Sequence, residues 1–182
     1  MVRDAGEVQE ENFMTGDGAK KPLGVFTASA DGISTARDIA FGTDATTIAA
    51  DNVINTFYNL KAQYQRNATW LLHRLVLRDI RKLKGSDNNY LWQPGLQVGQ
   101  PDSLLGRPVV QSEFAPSTIA SSQYVALVGD FSFYWIADAM NVEFQVLVEL
   151  NARQNQISII GRLKNDGAPQ REEPFSRGVM PA

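Results

Sequence analysis

No cysteine occurs in the 182 residues, which excludes disulfides and thiolate metal sites alike. Histidine occurs once, as His73, so no histidine-rich metal centre is available and at most one imidazole base. Basic residues are not in excess. Lys and Arg number 17 against 20 Asp and Glu, and a net charge of −3 offers no field for gripping DNA or RNA. No apolar run approaches the length of a membrane span. Glu7, Glu10 and Glu11 stand where a signal peptide would need basic and apolar residues, so the chain is expected to be cytosolic where it is made.

What is present is ordinary for a folded protein. Hydrophobic residues at 43% and charged residues at 20% exclude low-complexity disorder. The length suits one domain, or a large and a small lobe sharing a core.

Residues 2–14 read as the end of a helix, weakly amphipathic through Val2, Ala5 and Val8 and weakened by Gly6. Gly16-Asp17-Gly18 stops it, because glycine supplies the positive backbone angles of a helix exit. Residues 25–49 have little periodicity and read as loop with one short strand at most. Asp51 caps a second helix expected over 51–64, with Val53, Phe57, Leu60 and Tyr64 on one face. Thr69-Trp70-Leu71-Leu72 fits a buried strand, and His73 leads into a third helix over 74–84. Leu75, Ile80 and Leu83 are expected inward there, with Arg74, Arg78, Arg81, Lys82 and Lys84 outward and Gly85 as the stop. Strands are expected over 107–111, 124–128, 142–150 and 156–163. In the third of these Val142, Phe144, Val146 and Val148 alternate with Glu143, Gln145, Leu147 and Glu149. The tail from Asn165 is polar and Pro-rich and returns to order near Phe175. Helices on a mixed or antiparallel sheet make the fold class α+β.

Nothing in this pattern assembles a reactive centre. His73 reads as a strand-to-helix junction residue that caps or packs locally. Gly16-Asp17-Gly18 lacks the lysine and hydroxyl residue of a phosphate loop and the acidic spacing of a calcium loop. Asp102, Glu113, Asp130 and Asp138 have no spacing that pairs them for acid–base work, and no serine lies in a Gly-x-Ser-x-Gly elbow. No catalytic, cofactor-binding or metal-binding residue is therefore assigned, and an enzyme is the weakest reading. The basic row on the third helix is expected to be solvated or to pair with acidic residues of a neighbouring subunit. Trp70, Trp92 and Trp135 read as core or interface anchors. Trp92 beside Pro94 either sits at a subunit contact or packs as a loop within the monomer.

Four motifs in order carry a resemblance. Phe13-Met14-Thr15-Gly16-Asp17-Gly18 with Pro22-Leu23-Gly24 comes first, then Asn89-Tyr90-Leu91-Trp92-Gln93-Pro94. Leu104-Leu105-Gly106-Arg107-Pro108-Val109-Val110 and Gly129-Asp130-Phe131 follow, with Asn67-Ala68-Thr69-Trp70 as a further match. Together they resemble the major capsid proteins of tailed phages, the family with the Hong Kong 97 shell fold, over residues 10–178. The resemblance implies the end of a spine helix at 1–18, an axial domain at 19–130, and peripheral-domain strands at 131–182 returning to the axial core. It also implies that the N-terminal arm and extended loop of relatives are missing here, and with them any crosslinking lysine of that loop.

The function so implied is structural: self-assembly into pentamers and hexamers of an icosahedral shell enclosing DNA, built in the host bacterial cytoplasm and residing in the virion. Tyr90, Leu91, Trp92, Gln93 and Pro94 are the candidate subunit-interface residues, near the ring centre. The implied partners are copies of this chain, then related capsid proteins, scaffold or portal. Sequence-specific nucleic-acid binding, a membrane and cofactors are not among them. The alternative is a truncated capsid-like protein of a prophage or phage satellite, assembly-incompetent or interfering with a related phage's shell.

Overall fold

Thr69–Leu72 (β2) alternates its side chains like any strand, yet every one of its apolar residues is buried, so both faces of its sheet must be covered. The computed structural model describes residues 2–85, 87–89, 91, 102–147, 149, 152–155 and 157–182, and shows both covers. Trp70 and Leu72 face one cluster with Phe41, Val53, Phe57, Val76 and Ile80. Leu71 faces the other, with Val25, Phe26, Ile33, Leu127 and Phe175. The Trp70 ring stacks on Phe57 at 6.5 Å, and its indole N–H donates to the Leu104 carbonyl at 3.1 Å, so no polar atom of this large side chain is stranded.

The sheet has six strands. Besides β2 these are β1 (Asp38–Ala40), β3 (Ser103–Leu104), β4 (Arg107–Gln111), β5 (Tyr124–Gly129) and β8 (Phe175–Val179), in the order β1-β8-β5-β2-β4-β3. The pairs β1–β8 and β2–β4 are parallel; β5 runs antiparallel to both β8 and β2. The α+β reading holds, and the polar tail does return to order: β8 is inserted between two strands of the sheet.

The first helix, α1 (Val2–Thr15), ends where its glycines predict. The side chains of Val2 and Ala5 lie outside the described residues; Val8 is exposed. The last turn is closed by chain returning from the turn. Gly24, Val25 and Phe26 donate their backbone N–H groups to the carbonyls of Gly16, Phe13 and Met14 at 2.9, 3.1 and 2.9 Å. These bonds satisfy carbonyls that a helix end otherwise leaves open. The approach is so close that a Cβ on Gly24 would stand 2.6 Å from three backbone atoms.

Several expectations need correction. The second helix starts after Ala49 with no side-chain cap, so Asp51 stands in its first turn and does not cap it; the third ends at Arg81, ahead of Lys84 and Gly85. The helix expected over 51–64 is α2 (Ala50–Tyr58) followed by a separate turn, α3 (Ala62–Gln65). Tertiary contacts override the helical period between them. The Asn59 side chain donates to Ser176 Oγ at 3.1 Å, Leu60 drops into the core, and Tyr64 meets Phe133 edge-on at 5.3 Å. On the third helix, α4 (Arg74–Arg81), Leu75 is exposed, while Val76, Leu77 and Ile80 are buried. Positions 76, 80 and 83 have the three-to-four spacing of one helix face; 75 lies off it.

Candidate functional site

The second sheet is a two-stranded ribbon, β6 (Tyr134–Leu147) with β7 (Ser158–Pro169), paired antiparallel from Tyr134↔Pro169 to Leu147↔Ser158. It is longer than the sequence implied at the end near the core. Strand β6 begins eight residues before position 142, and β7 runs on past Leu163. Val148, Leu150, Gln156 and the side chain of Val142 lie outside the described residues. The added length escaped the alternation test because a ribbon without a buried face does not need apolar residues at every second position. Two register shifts, at Asp138/Met140 and Met140/Glu143, give β6 two more residues than β7. Such bulges bend a ribbon and raise its twist.

The ribbon's base is held by the end of α1 and the turn after it. Leu23 N–H donates to the Gly167 carbonyl at 2.7 Å, and the Tyr134 hydroxyl donates to the Leu23 carbonyl at 3.0 Å. The Tyr134 ring meets Phe13 edge-on at 6.1 Å. Burial, with the Asp166 charge adding to it, pushes the Tyr134 phenol well above its ordinary pKa, so it remains a donor. A Cβ on Gly167 would stand 2.8 Å from that hydroxyl and 3.0 Å from the Phe13 ring. At the neighbouring corner Asp130 accepts from the Ser132 N–H and hydroxyl at 3.1 and 2.7 Å, and Phe131 packs on Phe175. Two of the four sequence motifs (Phe13 to Gly18 with Pro22 to Gly24, and Gly129 to Phe131) therefore lie at or beside the junction of core and ribbon.

Away from that junction the ribbon is exposed, and much of what it exposes is apolar. Trp135 is 62% exposed, and Ile136, Phe144, Val146, Ile157 and Ile159 are each exposed by nearly half or more. Large apolar side chains left exposed in this number suit a surface that another molecule covers.

Of the five predicted interface residues, Tyr90, Trp92, Gln93 and Pro94 lie outside the described residues. Leu91 is described: its N–H donates to the Leu83 carbonyl at 2.9 Å, and its side chain is 57% exposed. It borders a groove of about 380 Å³ between α2, α4 and β3, lined by Val53, Ile54, Ile80, Leu83, Leu104 and Leu105.

A family model described as the phage capsid family matches residues 1–180. The chain belongs to the phage capsid family. Among solved structures, the capsid of an empty GTA particle is similar with a TM-score of 0.84 and 24% identity, covering 100% of this chain and 64% of that one. The capsid of a native GTA particle gives 0.83 and 25%, again covering 100% and 64%. A chain of Gordonia phage Cozz gives 0.66 and 12%, covering 98% and 61%. The fold is of the Hong Kong 97 type. The chain spans less than two thirds of the length of these three structures. No curated protein matches the sequence.

The titratable side chains of the third helix serve local structure. His73 Nδ1 accepts from the Leu75 N–H at 3.1 Å, capping α4, and Nε2 lies 3.2 Å from Glu113. Replacing His73 by alanine is expected to cost about 1 kcal/mol in urea unfolding, the usual worth of an N-cap, and asparagine less, since it keeps an acceptor. Arg74 pairs with Glu113 at 2.9 Å, Arg78 with Asp79 at 2.9 Å and Arg81 with Asp102 at 2.5 Å. Arg74, Arg78 and Lys82 stay largely exposed while pairing within the chain, in line with a solvated row. Among the described residues no three His, Asp or Glu side chains come together as a metal site would need. Family and fold are those of a structural protein.

Proposed function

We propose that this chain is a shell subunit of a tailed phage or prophage, packing with copies of itself into pentamers and hexamers of an icosahedral container for DNA. The observation that carries the reading is the exposed apolar ribbon fixed to a fully buried core in a chain of the capsid family. A wall is built from many weak side-to-side contacts that close around symmetry axes, and each subunit must therefore offer apolar surface it does not use itself.

In this reading residues 1–18 end the spine helix, 19–130 form the axial domain and 131–182 supply the peripheral strands. Tyr90, Leu91, Trp92, Gln93 and Pro94 meet their counterparts near the ring centre, and the ribbon contacts neighbouring rings. The location is the virion capsid, assembled in the host bacterial cytoplasm, with related capsid proteins, scaffold or portal as further partners.

Negative-stain electron microscopy of the purified chain at rising concentration tests this. Rings or closed shells are expected; small featureless particles at every concentration would overturn self-assembly by this chain. Adding the chain to an assembling capsid protein of a related phage examines the alternative. Undisturbed shells that lack the chain would remove the interference reading.

A further inference from the structure

The one histidine of the chain is engaged at both ring nitrogens, and the two engagements fix its proton. Nδ1 accepts from the Leu75 N–H at 3.1 Å; a backbone N–H can only donate, so Nδ1 must carry the lone pair. Nε2 then holds the proton of the neutral ring and donates it to Glu113 Oε2 at 3.2 Å. An imidazolium carries a proton on both nitrogens and accepts nothing. Protonated His73 therefore cannot cap α4, and His73 that caps α4 cannot be protonated. The usual serine, threonine or asparagine cap has no such conflict, because its oxygen accepts at any pH.

The ring has little room to escape. His73 is 5% exposed and sits where three elements meet. Leu72 at the end of β2 stands opposite Gln111 of β4, so His73 and Ser112 are the next residues on the two chains. Ser112 donates its N–H to the Leu72 carbonyl at 3.2 Å and its hydroxyl to Glu10 of α1 at 2.6 Å. The charges around the ring are thus Glu113, Arg74 of α4, which engages Glu113 at 2.9 Å, and Glu10 of α1 beyond Ser112. Glu113 attracts an imidazolium, whereas Arg74 and the positive end of α4 repel it. A charged ring accordingly has a partner on the Glu113 side and none on the helix side. Behind the cap, α4 sends Val76, Leu77 and Ile80 into the core, and Ile80 also lines the groove that Leu91 borders.

We propose that His73 is a proton-operated catch on α4. The neutral ring fastens the first turn of the helix to the end of β2. A proton taken from solvent onto Nδ1 frees the Leu75 N–H and leaves the ring to Glu113. The device belongs to the single chain and does not depend on the shell-subunit reading.

A chain with one histidine gives one set of imidazole signals, so ring and cap can be followed together by NMR of the full chain as the pH is lowered. The neutral ring is expected to carry its proton on Nε2. As the ring takes up its second proton, the Leu75 amide is expected to lose about fivefold of its exchange protection, the fold-change of one N-cap, once the intrinsic pH dependence of exchange is removed. Ile80, further along the helix, keeps its protection. H73N retains an acceptor that does not titrate and shows no step at Leu75; H73S takes its place if H73N does not accumulate as folded protein. A neutral ring protonated on Nδ1 would overturn the proposal. So would Leu75 protection that stays constant while the ring titrates, or a ring that stays neutral until the whole chain unfolds. A step at Leu75 that persists in H73N would assign the effect to Glu113 or Glu10 and end the proposal as well.

Discussion

A chain carrying Arg177→Ala is expected to unfold at markedly lower urea, losing about 3–5 kcal/mol, the usual cost of leaving one member of a buried ion pair without its partner. Arg177 is 0% exposed in the middle of β8 and stands directly opposite Asp38 of β1. Its Nε donates to Asp38 Oδ1 at 2.7 Å and Nη2 to the Ser34 carbonyl at 2.9 Å, while the guanidinium lies 4.6 Å from the centre of the Tyr124 ring. The Tyr124 hydroxyl donates to the other Asp38 oxygen at 2.9 Å. Burial raises the Tyr124 pKa above its ordinary value, which keeps that proton in place. Three strands and the turn before β1 are therefore tied to one cation. Truncation leaves Asp38 with the tyrosine alone. R177M combined with D38L is expected to recover part of the loss, since an apolar pair of similar volume often replaces a buried ion pair at little cost. Equal stability of R177A and the parent chain would show that the cation contributes nothing net.

Gly24→Ala is expected to be as damaging by another route. The new methyl would meet Gly16 N, Met14 O and Thr15 N, each 2.6 Å from its ideal position, and backbone cannot yield as a side-chain tip can. The chain must move away, and the bonds from residues 24, 25 and 26 to the end of α1 go with it. Three hydrogen bonds at about 1 kcal/mol each set the loss near 3 kcal/mol. Urea unfolding measures the total. Amide exchange at Val25 and Phe26 should accelerate by more than tenfold; unchanged exchange there would show that the turn accommodates a methyl group.

These two sites show what was legible in the sequence and what was not. The end of α1, the strand at Thr69–Leu72 and the capping role of His73 could be read directly, because glycine geometry, short apolar runs and cap chemistry act locally. Gly24 could be singled out only as part of a motif; the reason for it lies in chain that returns from the turn. Arg177 gave no local signal, since it follows a polar, Pro-rich tail expected only to return to order near Phe175, and its burial follows from β1 and β5 closing on both sides. The division of the second helix at Asn59 is likewise a tertiary effect, fixed by Ser176 and Phe133 far along the chain. Of the candidate interface, only Leu91 lies among the described residues, and it is exposed at the rim of an apolar groove. The ribbon's inner half was missed because exposed pairing leaves no periodic mark.

The junction at Tyr134, Gly167, Leu23 and Phe13 stands where a long arm joins its support, as a fulcrum does. Strand β7 has 12 residues, and at roughly 3.3 Å per residue an extended strand of that length reaches roughly 40 Å. A rotation of about 5° at the base of such an arm displaces its far end by about 3 Å, the size of a whole hydrogen bond. Angular error at four residues is thereby magnified at the outer ribbon. In the proposed shell, the tight glycine and the half-buried phenol at the base would limit how much curvature the wall tolerates.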